Sequence, residues 1–203
     1  MGSNPGWFTD DPRNPVEKVG WDDVSSFIGQ LNRRMPGLHA RLPREAEWEY
    51  ACRAGTATPF SFGDDITPEQ VNYDGRYPYR RRKEGLSRQR TVPVGSLPPN
   101  PWGLHEMHGN VWEWCVETIA PYSKDLAVNP AVQPEGFERA LRGGSWEDSA
   151  AKVRAACRGR SRHDSRWNNI GFRILVGPQQ GSTTAPRRRV LSRGLEMLSP
   201  PGL

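Results

Sequence analysis

Cysteine is scarce in this chain, which holds Cys52, Cys115 and Cys157 among its 203 residues. An odd number leaves at least one thiol unpaired, and no two of the cysteines form a Cys-x-x-Cys pair. Disulfide frameworks and structural zinc sites depend on closely spaced cysteines, so this composition argues against both. The sequence instead fits a protein of a reducing compartment.

Long apolar runs are also missing. No segment approaches the roughly 20 apolar residues of a membrane-spanning helix, and the first residues contain no apolar signal-peptide core. We therefore predict a cytoplasmic location and no membrane partner. The chain opens on a turn followed by Trp7 and Phe8, like the interior of a domain. We expect the opening strands of that domain to be absent, together with any address signal that preceded them.

Positive charge is in slight excess, with a formal net charge of +5. Residues 178–203 hold four arginines against one glutamate, which accounts for three of the five excess charges. Glycine, serine, threonine and proline dominate the rest of that segment. Such a composition is typical of a solvated, disordered basic tail rather than of a binding patch. We predict no nucleic-acid partner.

Two amphipathic helices are the clearest regular elements of the sequence. The first covers residues 19–34, with Asp22 suited to cap its N-terminus. Its apolar positions follow the i, i+3, i+4, i+7 spacing of one helix face: Val24, Phe27, Ile28 and Leu31. The second covers residues 43–54, with Pro43 in its first turn and Gly55 after its end.

Glycine, proline and tryptophan are abundant, with 21, 19 and 8 residues respectively, and they indicate a loop-rich chain. Short β-prone segments lie between the turns, at residues 70–73, 91–94, 139–146, 152–157 and 170–176. No internal repeat is present. The sequence therefore predicts one domain of class α+β, irregular and loop-rich, with two helices and short antiparallel strands.

The most informative stretch is residues 103–115, in which Trp112 and Trp114 flank Glu113 directly after a Gly-Asn turn. Tryptophan is usually well buried, so Glu113 is expected to lie among core side chains. A buried carboxylate needs a cation or a hydrogen-bond network. Calcium, which takes carboxylate, amide and backbone oxygens, is one solution; backbone N–H donors beneath the tryptophans are the other.

This stretch resembles the Gly-Asn-Val-Trp-Glu-Trp signature of the formylglycine-generating enzyme (sulfatase-modifying factor) family. Three further stretches resemble the family in the same order, at residues 41–55, 141–146 and 168–173. The resemblance covers residues 1–177 and leaves 178–203 as the tail. It implies a C-type-lectin-like fold for the domain.

The resemblance also implies two structural calcium sites. The first would take carboxylates and backbone carbonyls from Glu106, Gly109, Val111 and Glu113. The second would take oxygens from Asn72, Tyr73, Glu84 and Leu86. The neighbouring His105 and His108 could suggest a transition-metal site, but a structural or surface role explains them more simply.

Members of the family that make formylglycine oxidise a cysteine of a Cys-x-Pro-x-Arg motif, using copper and a cysteine pair shortly after Gly-Gly-Ser. Residues 143–154, which begin with this Gly-Gly-Ser, contain no cysteine, and Cys157 lies further on by itself. Cu(I) prefers soft thiolates, for which oxygen ligands are poor substitutes. We therefore expect no copper site and no catalytic residue, with a sulfatase-modifying oxidoreductase as the alternative.

A ligand pocket remains possible without that chemistry. Trp112, Ser145 and Asn169 match residues that line the family's pocket, and we add Trp146 and Arg154 as ligand-binding candidates. The arginine-rich residues 146–169 resemble the variable region of diversity-generating retroelement proteins. Structural salt bridges of Arg142, Arg154 and Arg173 are the alternative explanation for these charges. Overall, the sequence favours a calcium-stabilised pseudoenzyme that binds an unidentified protein or small ligand.

Overall fold

The computed structural model describes residues 3–80, 83–119 and 137–177. The elements in these ranges are, in chain order, α1 Trp21–Arg34, α2 Glu45–Arg53, β1 Trp112–Thr118, β2 Glu138–Arg142, β3 Arg158–Arg162 and β4 Ile170–Gly171. Both predicted helices are confirmed, and turns and loops make up most of the remaining backbone, as expected for an irregular α+β domain. The tail predicted at residues 178–203 lies outside the described residues.

Each helix begins with an acidic side chain that folds back onto the backbone. The Gly20 N–H donates to Asp23 Oδ2 at 2.9 Å, and the Arg44 N–H donates to Glu47 Oε2 at 2.8 Å. Each carboxylate satisfies a backbone donor that precedes the first helical turn. The prediction that Asp22 caps α1 was therefore wrong, because the N-cap is Gly20 and Asp23 accepts its backbone N–H.

The four strands form one sheet in the order β3-β2-β1-β4. Strand β2 pairs antiparallel with β1 and β3, whereas the short β4 runs parallel to β1. The sheet is therefore mixed and not wholly antiparallel. None of the helices in the described ranges is long and apolar enough to cross a membrane.

The strand predicted at residues 152–157 is a series of turns, and β3 starts immediately after it. Val153 and Ala155 are both buried, and this alternation of buried positions is also typical of a strand with one buried face. The Lys152 N–H, however, donates to Ser149 O and the Cys157 N–H to Arg154 O, both at 2.9 Å. Hydrogen bonds over three residues close turns, so the alternating burial arises here without sheet pairing.

Strand β1 carries side chains of two core clusters. Trp114, which is fully buried, packs with α1 and donates its Nε1–H to Val19 O at 2.9 Å. Cys115, the next residue, packs with Trp48 of α2. One face of the strand thus packs against α1 and the other against α2. Glu113 comes directly before these two residues in the sequence.

A fully buried arginine ties α2 to the sheet. Arg142 of β2 lies with Nη1 3.1 Å from Glu45 Oε1 and Nη2 2.5 Å from Glu49 Oε2. Its Nη2 also donates to Ala155 O at 2.7 Å. Arg158 of β3 pairs with the same Glu45. The structural salt bridge that the sequence suggested for Arg142 is confirmed.

Candidate functional site

Glu113 of β1 is buried, and an arginine balances its charge. Arg173 Nε lies 2.5 Å from Glu113 Oε2, and Arg173 Nη2 lies 2.7 Å from Oε1. Trp48 donates its Nε1–H to Oε2 at 2.6 Å. Two parallel guanidinium bonds are a strong and directional way to hold a carboxylate. The expectation that this carboxylate needs a cation or a hydrogen-bond network is met within the chain itself.

The remaining residues of the first predicted calcium set have separate surroundings. The Glu106 carboxylate accepts the N–H groups of Gly95 at 3.0 Å and Leu97 at 3.3 Å. Gly109 and Val111 are buried in the turn before β1. The described contacts therefore give the carboxylates of Glu106 and Glu113 different partners, and calcium at this set stays a prediction.

Asn72, of the second predicted calcium set, packs directly against the Gly-Asn turn of the first. The Asn110 N–H donates to Asn72 O at 2.8 Å, and Asn72 and Gly109 form an isolated parallel bridge. A Cβ added at Gly109 would lie 2.2 Å from Asn72 O, so only glycine permits this approach. The structure thus brings the two predicted calcium loops into contact.

The Asn72 side chain is fully buried but only half satisfied. Its Nδ2 donates to Arg90 O at 2.9 Å and to Asn110 Oδ1 at 3.1 Å. Its Oδ1 is buried and accepts no hydrogen bond from the described residues. A buried amide oxygen without a donor is costly, and a hard cation or an ordered water would satisfy it.

The other residues of the second set divide between the interior and the surface. Tyr73 is buried, whereas Glu84 and Leu86 are exposed. Among residues 3–80, 83–119 and 137–177, no group of three or more His, Cys, Asp or Glu side chains is arranged to hold a metal. A calcium ion here would therefore need amide and backbone oxygens in addition to the Glu84 carboxylate.

Asp148 connects the residues that were predicted to bind a ligand. Its Oδ2 accepts hydrogen bonds from Trp112 Nε1 at 2.8 Å, Ser145 Oγ at 2.5 Å and the Ser145 N–H at 3.1 Å. Asp148 is not among the predicted ligand-binding residues. The Ser-x-x-Asp spacing was the available signal, since such spacing lets a carboxylate fold back onto the chain three residues earlier.

Trp146 and Asn169 complete the same face. Asn169 Nδ2 donates to Glu147 Oε1 at 2.5 Å, and Asn169 O accepts the Trp112 N–H at 2.8 Å. The Trp146 ring packs edge-on against Phe8, with ring centroids 5.8 Å apart. Burial, and then the neighbouring Asp148 carboxylate, raise the pKa of Glu147. We call Trp112, Ser145, Trp146, Glu147, Asp148 and Asn169 the Asp148 face.

The arginines of the arginine-rich residues 146–169 are mostly held by carboxylates. The pairs are Arg158 with Glu45, Arg160 with Glu138, Arg162 with Asp164, and Arg166 with Asp23. Arg154 differs, because its Nε donates to Ala151 O at 2.8 Å. No described contact joins Arg154 to Trp112, Ser145 or Asn169. Salt bridges thus account for most of these charges, and Arg154 lies outside the described contacts of the face.

The cysteines are free thiols in environments that oppose ionisation. Cys52 and Cys115 are fully buried, and Cys157 is partly buried. Burial raises the pKa of all three thiols. Cu(I) binds thiolates, so each of these thiols would have to lose its proton to bind it.

The two histidines of the central motif make separate structural contacts. His108 is buried, with Nδ1 2.7 Å from Val153 O and Nε2 accepting the Ser61 N–H at 3.1 Å. His105 Nδ1 lies 2.8 Å from Leu97 O. These contacts require a neutral His108 with its proton on Nδ1. The structural role expected for the histidines fits this arrangement.

Neutral His108 is expected to make the protein sensitive to acid. Burial lowers the pKa of His108 from 6.5 to about 4. Between these pH values the unfolded chain binds a proton that the folded chain does not. The contribution of His108 to the free energy of unfolding is therefore fully present above about pH 6.5. It is lost as the pH falls towards 4, by roughly 3 kcal/mol. Urea unfolding at several pH values should show a smaller loss in His108→Gln than in the parent. The exposed His39→Gln is the control, and equal losses in all three proteins would contradict this assignment.

Residues 3–177 match the model of the sulfatase-modifying factor enzyme 1-like domain family. The chain therefore belongs to this family, and the resemblance seen in the four motifs is confirmed.

Curated relatives include proteins named as active and as inactive enzymes. The chain is 37% identical to the formylglycine-generating enzyme of Streptomyces coelicolor, over 82% of this chain and 54% of that protein. It is 33% identical to the inactive C-alpha-formylglycine-generating enzyme 2 of Mus musculus, over 78% of this chain and 48% of that protein. The chain thus spans about half the length of these relatives.

Solved structures support the fold. PvdO from Pseudomonas aeruginosa has a TM-score of 0.72 and 29% identity, over 83% of this chain and 64% of that one. Treponema denticola variable protein 1 has a TM-score of 0.70 and 25% identity, over 88% of this chain and 79% of that one. The domain therefore has the C-type-lectin-like fold of this family, as expected.

Proposed function

We propose that this domain is a binding module of the formylglycine-generating enzyme family that does not carry out the copper-dependent oxidation of cysteine. One observation carries the proposal. Residues 143–154, where the resemblance expects cysteines, contain none, and Asp148 of this segment accepts hydrogen bonds from Trp112 and Ser145. A carboxylate cannot replace a thiolate pair towards Cu(I). Its hydrogen bonds make the side chain a fixed acceptor on the Asp148 face.

The charges of this face favour a cationic group as its ligand. Glu147 and Asp148 are adjacent carboxylates, and their mutual repulsion contributes to the raised pKa of Glu147. The indole rings of Trp112 and Trp146 belong to the same face. Carboxylates beside aromatic rings suit a guanidinium or ammonium group, since both attract positive charge. Binding such a group would relieve the repulsion between the two acids.

Titration calorimetry with n-butylguanidine, a small guanidinium compound, tests this proposal. The matched neutral probe is pentanamide, and Glu147→Gln is the variant, because Glu147 is exposed and its replacement spares the core. We expect n-butylguanidine to bind more tightly than pentanamide and Glu147→Gln to weaken its binding about tenfold. Exposed Asp64→Asn is the control variant. Equal binding of both probes, or no effect of Glu147→Gln, would contradict the proposal.

We further propose that calcium stabilises the module through the Asn72 loop. The unsatisfied Asn72 Oδ1 supports this set. The first set is less well suited, because Arg173 already supplies positive charge to Glu113. Calcium at one hundred times its Kd should stabilise the fold by about 2.7 kcal/mol. Thermal unfolding with calcium, magnesium or a chelator measures this effect, and an unchanged melting temperature would contradict it.

The alternative is a sulfatase-modifying oxidoreductase, which the names of several relatives support. This alternative needs a thiol pair assembled from cysteines other than those expected after Gly-Gly-Ser. Cys52 and Cys115 are fully buried in the core, where a substrate cysteine does not reach them, and this argues against the alternative.

A further inference from the structure

A second candidate binding site lies beside α1, apart from the Asp148 face. It is a cavity of about 330 Å³ at the junction of α1 with the segment that precedes it. Its lining is mainly apolar: Pro5, Val16, Val19, Val24, Phe27 and Phe172. Phe27 and Phe172 pack edge-on, with ring centroids 5.8 Å apart. This volume lies at the lower end of the range for small-molecule sites, which are also mainly apolar.

The polar residues of the lining leave one positive charge. Arg166 holds Asp23 through two bonds, Nε to Oδ2 at 2.7 Å and Nη2 to Oδ1 at 2.9 Å. These two charges offset each other. Lys18 also lines the cavity, and its Nζ lies 5.4 Å from the centroid of the Trp7 ring. The buried carboxylate of the neighbouring Glu17 attracts this charge but does not line the cavity.

The backbone at Lys18 is strained at the same place. Its φ of +56° lies in the left-handed region, which a lysine rarely adopts. A hydrogen bond from the Lys18 N–H to Trp167 O, at 3.0 Å, holds this conformation. Residues kept in such conformations occur often at ligand-binding positions, where they fix the direction of a side chain.

We propose that this cavity binds a small carboxylate with an apolar, ring-sized body. The apolar lining would take up the body, and the Lys18 ammonium would pair with the carboxylate. The charged residues of the lining sum to one positive charge, which makes an anion the better occupant than a neutral or cationic molecule. The site requires neither calcium nor the Asp148 face, so it can be tested independently of the proposed function.

Binding of 3-phenylpropionate, with 3-phenylpropanamide as the neutral match, tests the proposal by calorimetry. We expect the acid to bind about tenfold more tightly than the amide. Lys18→Met keeps the apolar stem and removes the charge, so it should abolish this difference. Lys152→Met, at an exposed lysine outside the cavity lining, is the control and should change nothing.

A second variant tests the location of the ligand. Val16 is 38% exposed in the lining, so Val16→Trp can fill the cavity without disturbing the core, and it should prevent binding of the acid. Binding that survives Val16→Trp, equal affinity for acid and amide, or no binding of either probe would overturn the proposal. So would a dimer of the parent that Val16→Trp dissociates, because a second copy would then occupy the cavity.

Discussion

Replacing Arg173 with methionine is expected to lower the free energy of unfolding by about 3–5 kcal/mol. The substitution keeps much of the apolar volume and removes the cation that faces Glu113. The Glu113 side chain is only 6% exposed, so its charge would remain buried with the Trp48 N–H as its described partner. The cost comes from this uncompensated carboxylate more than from the lost bonds. Urea unfolding of the parent and the variant measures it.

The double variant Arg173→Met with Glu113→Gln separates pairing from packing. A glutamine carries no charge, so it should recover a large part of the stability that Arg173→Met loses. Residues in direct contact typically show coupling energies of about 0.5–3 kcal/mol. If the loss in free energy of unfolding of the double variant equals the sum of the losses of the two single variants, Arg173 acts by packing. The charge-balance explanation would then be wrong.

Replacing Arg142 with methionine is expected to cost about 3 kcal/mol. Arg142 is fully buried and joins β2 to Glu45 and Glu49 of α2. The loss should be smaller than for Arg173, because Arg158 still pairs with Glu45 and Arg53 with Glu49. Thermal and urea unfolding measure the change.

Arg154→Met is the matched control for Arg142→Met, because Arg154 is only partly buried and its described hydrogen bond is to the neighbouring Ala151 carbonyl. Surface substitutions of this kind usually change stability by less than about 0.5 kcal/mol. Equal effects of Arg142→Met and Arg154→Met would contradict the assignment of α2 docking to the buried ion pairs.

The helices and the family motifs could be predicted from sequence because their signals are local. Helical spacing marks α1 over several turns, and four ordered motifs mark the family. Strand β1 was harder to recognise, because its Trp-Glu-Trp sequence places side chains in different clusters and carries a buried charge. Its pairing depends on residues far away in the chain: Glu113 lies opposite Arg142, and Trp112 lies beside Ile170.

In the candidate site, too, some residues could be predicted from local motifs and others depend on contacts between distant parts of the chain. Trp112, Ser145, Trp146 and Asn169 could be selected from motif positions, and the structure brings them together. Asp148 could not be selected in this way, because its importance comes from the three donors that converge on one oxygen. Likewise, Arg173 lies 60 positions from Glu113 in the sequence, so the balance of that charge became visible only in the fold.

We propose that this domain binds a ligand without oxidising cysteine. Mass spectrometry of a Cys-x-Pro-x-Arg peptide, incubated with the folded protein, copper and a thiol reductant, tests whether the oxidation occurs. An active enzyme of the family and a peptide with serine in place of the cysteine are the controls. We predict that the cysteine peptide keeps its mass with this protein while the active enzyme converts it. Formation of the formylglycine peptide would contradict this proposal and establish a sulfatase-modifying oxidoreductase.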